Sequence, residues 1–170
     1  MITYHTKEGK FLVEKYNEIP YNKLHGEDGP ALIFSNGRKE WYQNGKLHRL
    51  DGPAVAWADG DEEWYVNGKR HRLDGAAIVW YGGDKEWYVN GERHRLDGPA
   101  IINPNGTKEW YVNGKRHRLG GPAIEFNDGY EYWYINGRQL DSEEVEAWIK
   151  DNNINLKTKQ HQVLFMVMFG

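Results

Sequence analysis

The residues of this sequence that carry chemistry come as a set, and the set returns. The stretch EWYVNGKRHRLDG at 63–75 reappears as EWYVNGERHRLDG at 86–98 and as EWYVNGKRHRLGG at 109–121. Read as a site, it offers an imidazole for a metal and a carboxylate pair for acid–base work. The recurrence argues against both. Like histidines in neighbouring copies lie two strands apart, about 9–10 Å at ~4.8 Å per strand. Zinc holds its ligands ~2 Å from a common centre. His48, His71, His94 and His117 are therefore expected to be structural, beside Trp rings, and no metal is expected. Carboxylate pairs such as Glu62 and Glu63 recur with an arginine expected opposite, whereas a catalytic dyad is normally unique. Serine occurs only at Ser35 and Ser142, in a turn and at a helix start. There is no Gly-x-Ser-x-Gly, no phosphate-cradling loop opening a helix, and no cysteine. No catalytic residue, cofactor or enzymatic activity is expected.

The period explains the set as architecture. Trp41, Trp64, Trp87, Trp110 and Trp133 fall 23 residues apart, and the five following Asn-Gly pairs keep the same register. Five units result: 24–46, 47–69, 70–92, 93–115 and 116–138. Such a period marks a repeat array, each unit burying its apolar surface against its neighbours. Each unit carries two turn signals, for example Asp59-Gly60 and Asn67-Gly68, the pairs favoured by two-residue hairpin loops. Between them DEEWYV, 61–66, reads as a strand. If both turns are two-residue loops, Val55 opposes Trp64, Ala56 opposes Glu63, Trp64 opposes His71 and Glu63 opposes Arg72. Glu40–Arg49, Glu86–Arg95 and Glu109–Arg118 are the equivalent ion pairs. Tyr42, Tyr65, Tyr88 and Tyr111 are then expected on one face with Arg49, Arg72, Arg95 and Arg118.

The unit WYVNGERHRLDGPA, 87–100, resembles the variant MORN-type repeat, in which a Trp-Tyr strand, an Asn-Gly turn and a His-Arg/Asp-Gly-Pro-Ala segment recur. The resemblance covers 24–138. It implies an all-β fold, hairpins side by side in one elongated, twisted antiparallel sheet. Similar arrays are common in bacterial, bacteriophage and large-virus genomes, mostly without assigned activity. This sequence departs from plain MORN units, which are richer in Gly and Tyr, so their lipid binding is not carried over.

The ends are expected to cap the array. Residues 1–23 form the N-terminal cap, with FLVEKY, 11–16, as an edge strand. In the C-terminal cap, 139–170, Asp141 and Glu144 form a capping-box pattern for a short helix ending near Asn152-Asn153. VLFMVMF, Val163 to Phe169, is expected as a last strand, buried or serving self-association.

Net charge is −3 over 170 residues, with acids and bases interspersed. Nucleic-acid and anionic-membrane binders carry a basic excess, so neither partner is expected. No stretch reaches the ~18 apolar residues that cross a bilayer, and the N-terminus lacks a signal-peptide pattern. A cytoplasmic protein is expected, in the host cytoplasm if phage-encoded. The expected role is non-enzymatic: a scaffold that binds a protein partner through the Tyr/Arg face or its C-terminal edge, as a phage accessory, host-interaction or inhibitor protein. The alternative is a nucleotide- or carbohydrate-binding module using aromatic pockets between repeats.

Overall fold

Two kinds of hairpin turn organise the chain, and they differ in how many residues enter the left-handed region. The computed structural model describes residues 2–170. At the Asn-Gly turns both residues have positive φ, as in Asn67 at 52° and Gly68 at 79°. That is a two-residue type I′ loop, and Val66 opposes Lys69 as the sequence predicts. At the preceding turn only the glycine is left-handed, Gly60 at 102°. The Gly60 N–H donates to the Trp57 carbonyl and the Trp57 N–H to that of Asp61. The loop therefore holds three residues, 58–60, a type I turn closed by a left-handed glycine.

One extra loop residue slips the register by one. Val55 opposes Glu63 and Ala56 opposes Glu62, not Trp64 and Glu63 as expected. Opposed residues share a face, so the slip moves Glu63 to the side of Val55 and Ile78. Glu63 is buried there.

The chain falls into two compact units, one ending at Gly91 and the other Glu92–Gly170. Both are mostly antiparallel β-sheet built from repeats of about 23 residues. In the first, Ile2–Thr6 and Gly9–Val13 form the outermost hairpin, with Gly9–Val13 at the edge. The edge strand thus stops at Val13, and residues 16–18 turn as a 3-10 helix. Leu32–Phe34, Lys39–Glu40, Val55–Ala56, Glu62–Glu63, Ile78–Val79 and Lys85–Glu86 follow in antiparallel order. In the second unit the order is Ile101–Ile102, Lys108–Glu109, Ile124–Glu125, Glu131–Tyr132.

The expected strand 61–66 breaks at its tryptophan. Trp64 donates its N–H to Ala77 in the sheet and accepts from the His71 N–H in a second, smaller hairpin. That hairpin, Tyr65–Val66 with Lys69–Arg70, is a ladder separate from the main sheet. Trp64 is thus the hinge between the two ladders of its repeat. The small hairpins are tied to one another as well, the Gly68 N–H donating to Leu47 and the Gly91 N–H to Arg70.

The second unit ends in two helices, α1, Ser142–Asp151, and α2, Lys159–Phe169. Helix α1 starts as the sequence predicts, the Asp141 carboxylate accepting from the Glu144 N–H. The segment Val163 to Phe169 is helical, which corrects the expected strand. Thr158 caps α2 by accepting from the His161 N–H, and Phe165 and Phe169, one turn apart, are both buried. A short apolar run has no period that separates strand from helix. The site that receives it decides, and here two rings four residues apart must reach Trp148 together.

Candidate functional site

The tyrosine row builds inward. Tyr42, Tyr88 and Tyr111 are buried, and Tyr65 is half-buried. Each hydroxyl donates to the glutamate two residues before it: Tyr42 to Glu40 at 2.9 Å, Tyr65 to Glu63 at 2.7 Å, Tyr88 to Glu86 at 2.9 Å and Tyr111 to Glu109 at 3.0 Å. Arg70 closes this network through its Nε on Glu63 at 3.0 Å, and Arg116 does the same on Glu109. Arg38 pairs with Glu40. Burial, then the bond to Glu63, pushes the Tyr65 hydroxyl up to about 12. The expected Glu63–Arg72, Glu40–Arg49 and Glu109–Arg118 pairs do not form. The small hairpin's ladder ends at Trp64 and His71, the Arg72 N–H donating to Tyr88 of the next repeat, and the glutamates turn to Tyr65, Arg38 and Arg116 and their equivalents instead.

The Arg49, Arg72, Arg95 and Arg118 row belongs to a different surface, so the expected shared Tyr/Arg face does not exist. Trp64 and Tyr65 are consecutive in an extended chain and point to opposite sides. The Arg72 guanidinium stacks on Trp64 at 3.9 Å, Arg49 on Trp41 at 4.2 Å and Arg118 on Trp110 at 3.6 Å. Arg72 also donates its Nε to Asp74 at 2.8 Å and a terminal nitrogen to the Ala76 carbonyl. Arg49–Asp51 and Arg95–Asp97 repeat the same bracket. Gly75 allows it, since a Cβ there would meet the Arg72 guanidinium carbon at 2.9 Å.

Each bracket closes a tight loop, and the residue at its tip is a leucine. Leu50, Leu73 and Leu96 are 79–81% exposed. The aspartates beside them are 82–84% exposed, and their arginines only 22–26%. The arginine lowers each of these carboxyls below the ordinary aspartate range, first through its hydrogen bond and then through its charge. The outward surface of every such loop is therefore a leucine and a carboxylate, with the guanidinium folded under against a Trp ring. Between loops 49–53 and 72–74 lies a groove of about 690 Å³, floored by Trp64 and Val66. Sequence reasoning passed over the leucines. Their signal was a 23-residue period at Leu50, Leu73, Leu96 and Leu119, inside a loop where an apolar residue has no core to enter.

The histidine row is structural in geometry. His48, His71, His94 and His117 each accept at Nδ1 from the N–H of the asparagine 19 residues later, at 3.1–3.2 Å. Each imidazole so clips the next Asn-Gly turn to its own repeat. Among the described residues no group of three or more His, Cys, Asp or Glu is placed to hold a metal.

His117 gives a pH dependence whose sign is set by burial, which holds its imidazole below the ordinary histidine value. Above about pH 6.5 both folded and unfolded forms are neutral there. Below it the unfolded chain takes the proton first, so stability falls as pH drops toward the folded value. The urea midpoint of the second unit is expected to fall between pH 7.5 and 5.5. A His117→Gln variant is expected to show a smaller fall, and an undiminished one would exclude His117 as a source.

No protein-family model and no curated protein matches the chain in sequence. No helix among the described residues is long and apolar enough to cross a membrane.

Proposed function

We propose that this chain is a non-catalytic, MORN-like repeat scaffold that binds a protein partner through its Arg-Leu-Asp-Gly loops. One observation carries the reading: the same bracket holds Leu50, Leu73 and Leu96 at least 79% exposed. Isolated exposed leucines are common on protein surfaces. A leucine held outward in three equivalent loops, each by an arginine, an aspartate and a glycine that fold around it, is a presented group. The tyrosine row, by contrast, is occupied by its glutamates and has no outward task. In this reading the protein acts by blocking or scaffolding, as an accessory or host-interaction factor of a phage, in the cytoplasm of the host.

The test is affinity capture from host lysate with the tagged wild-type chain and with a Leu50→Ser/Leu73→Ser/Leu96→Ser variant. The variant is expected to keep its circular dichroism and lose its partner. A Tyr65→Phe variant is expected to retain the partner. Equal recovery by the leucine variant and the wild type would overturn the loop assignment.

A further inference from the structure

The chain already contains one covered copy of this loop. Leu119 is the repeat equivalent of Leu50 and Leu73, but it is half-buried rather than exposed. It packs against the C-terminal cluster and lines an apolar groove with Val163, Met166 and Val167 of α2. The loop is altered to permit this. Gly120 stands where the other loops have aspartate, and a Cβ there would already touch Gln162 and the Leu156 carbonyl at 3.5 Å. Arg118, without that aspartate, pairs with Glu125 instead. The covering segment is apolar and basic: Leu156, Lys157 and Lys159 lead into Val163 and Met166. Lys157 lines the same groove as Asp97 and Leu96.

In the first unit, loops 49–53 and 72–76 keep the bracket and leave Leu50 and Leu73 exposed. From this we infer that the groove between loops 49–53 and 72–74 receives an amphipathic helix of a partner protein, apolar on the contact face and carrying Lys or Arg at its margin. This inference rests on the loop-face reading above and specifies its occupant. Two features select that class. The outward carboxylates of Asp51 and Asp74, with Arg49 and Arg72 folded beneath, present negative charge beside apolar side chains. Leu50 and Leu73 flank the groove one repeat apart, two strands or about 9.5 Å, close to the roughly 10–12 Å diameter of a helix with its side chains, so one helix lies between the two leucines. The α2 segment over Leu119 is the worked example within this chain.

The probes are two fluorescein-labelled two-heptad peptides, leucine on one face and lysine on the other, or leucine and glutamate. Anisotropy is read against the full chain at low and at physiological salt. The Leu/Lys peptide is expected to bind at least about tenfold tighter than the Leu/Glu peptide. Leu50→Ser/Leu73→Ser is expected to weaken it by about tenfold or more. Asp51→Asn/Asp74→Asn is expected to weaken it several-fold and flatten its salt dependence. Leu50 and Leu73 point into solvent, so an unchanged urea midpoint confirms that the leucine variant is folded; the aspartate variant loses its bonds to Arg49 and Arg72, and an unchanged circular dichroism spectrum confirms its fold. Equal binding of the two peptides, or binding indifferent to the leucine change, would overturn the inference. So would a wild-type dimer in sedimentation that the leucine change dissociates, since a second copy would then be the occupant. If the lysate partner depends on Leu50 and Leu73 while neither peptide does, the helix assignment fails and the loop-face reading stands. If neither the partner nor the peptides depend on them, both fail.

Discussion

Replacing Phe165 with alanine is expected to cost the second unit about 3–5 kcal/mol, the usual range for emptying a large aromatic from a core. Phe165 is fully buried, with its ring 5.7 Å from Trp133, 6.1 Å from Trp148 and 5.1 Å from Phe169. It does for Trp133 what an arginine does for Trp64. The position eight residues after Trp64 is Arg72, but eight after Trp133 is Asp141, the helix N-cap. With no guanidinium to cover it, Trp133 is buried by α2 instead. Because repeat stability is largely nearest-neighbour in character, the loss should concentrate in residues 133–170. Hydrogen exchange is the measurement: amides of α1 and α2 should lose protection, while those of the first unit keep theirs. A Trp fluorescence midpoint shifted by under 1 kcal/mol in the variant would show that α2 contributes little to this core.

Glu63→Leu is expected to destabilise the first unit by about 1–3 kcal/mol, the cost of stranding partly buried donors. The Tyr65 hydroxyl loses its acceptor, and the Arg70 guanidinium loses its carboxylate, its Nε keeping only the Tyr65 hydroxyl oxygen. Arg70 is about a third exposed, so water recovers part of that loss, which keeps the figure below that for a fully buried charge. The informative comparison is the double variant Glu63→Leu/Arg70→Leu. Replacing both partners of a buried pair by apolar residues is often near neutral, so the double variant should be more stable than Glu63→Leu alone. Urea denaturation of the two singles and the double closes the cycle. Strict additivity would mean that Glu63 and Arg70 are not coupled and that the network is only geometric proximity.

Much of the fold was legible because its signals are local. Asn67-Gly68 admits the positive φ that a two-residue turn needs, and the structure uses it in every repeat. Asp141 and Glu144 announced α1 by spacing alone. Asp59-Gly60 looked like the same kind of turn and was not. Its aspartate stays out of the left-handed region, the loop gains a residue, and the pairing inferred from the shorter loop moves by one position, so that Val55 opposes Glu63 instead of Trp64. Glu63 meets Arg70 rather than Arg72 for a second reason: the small hairpin's ladder ends at Trp64 and His71, and the Arg72 N–H goes to Tyr88 of the next repeat. VLFMVMF was illegible for a different reason, since seven apolar residues in a row carry no period at all.

The sequence by itself determined the repeat, its length, the turns that must be left-handed and the positions where the pattern ends. These follow from the φ that a residue tolerates and from spacing, which neighbours along the chain suffice to settle. Only the tertiary structure decided which residues are spent on architecture and which face outward. Tyr65 and Arg72 look equally available in the chain, yet one hydroxyl is taken by Glu63 and one guanidinium by Trp64 and Asp74. Leu73, apolar by type, is 81% exposed. Burial is a property of what packs against a residue, and for this loop it is decided by Arg72 folding under it onto Trp64 and Asp74, a contact that no local spacing specifies.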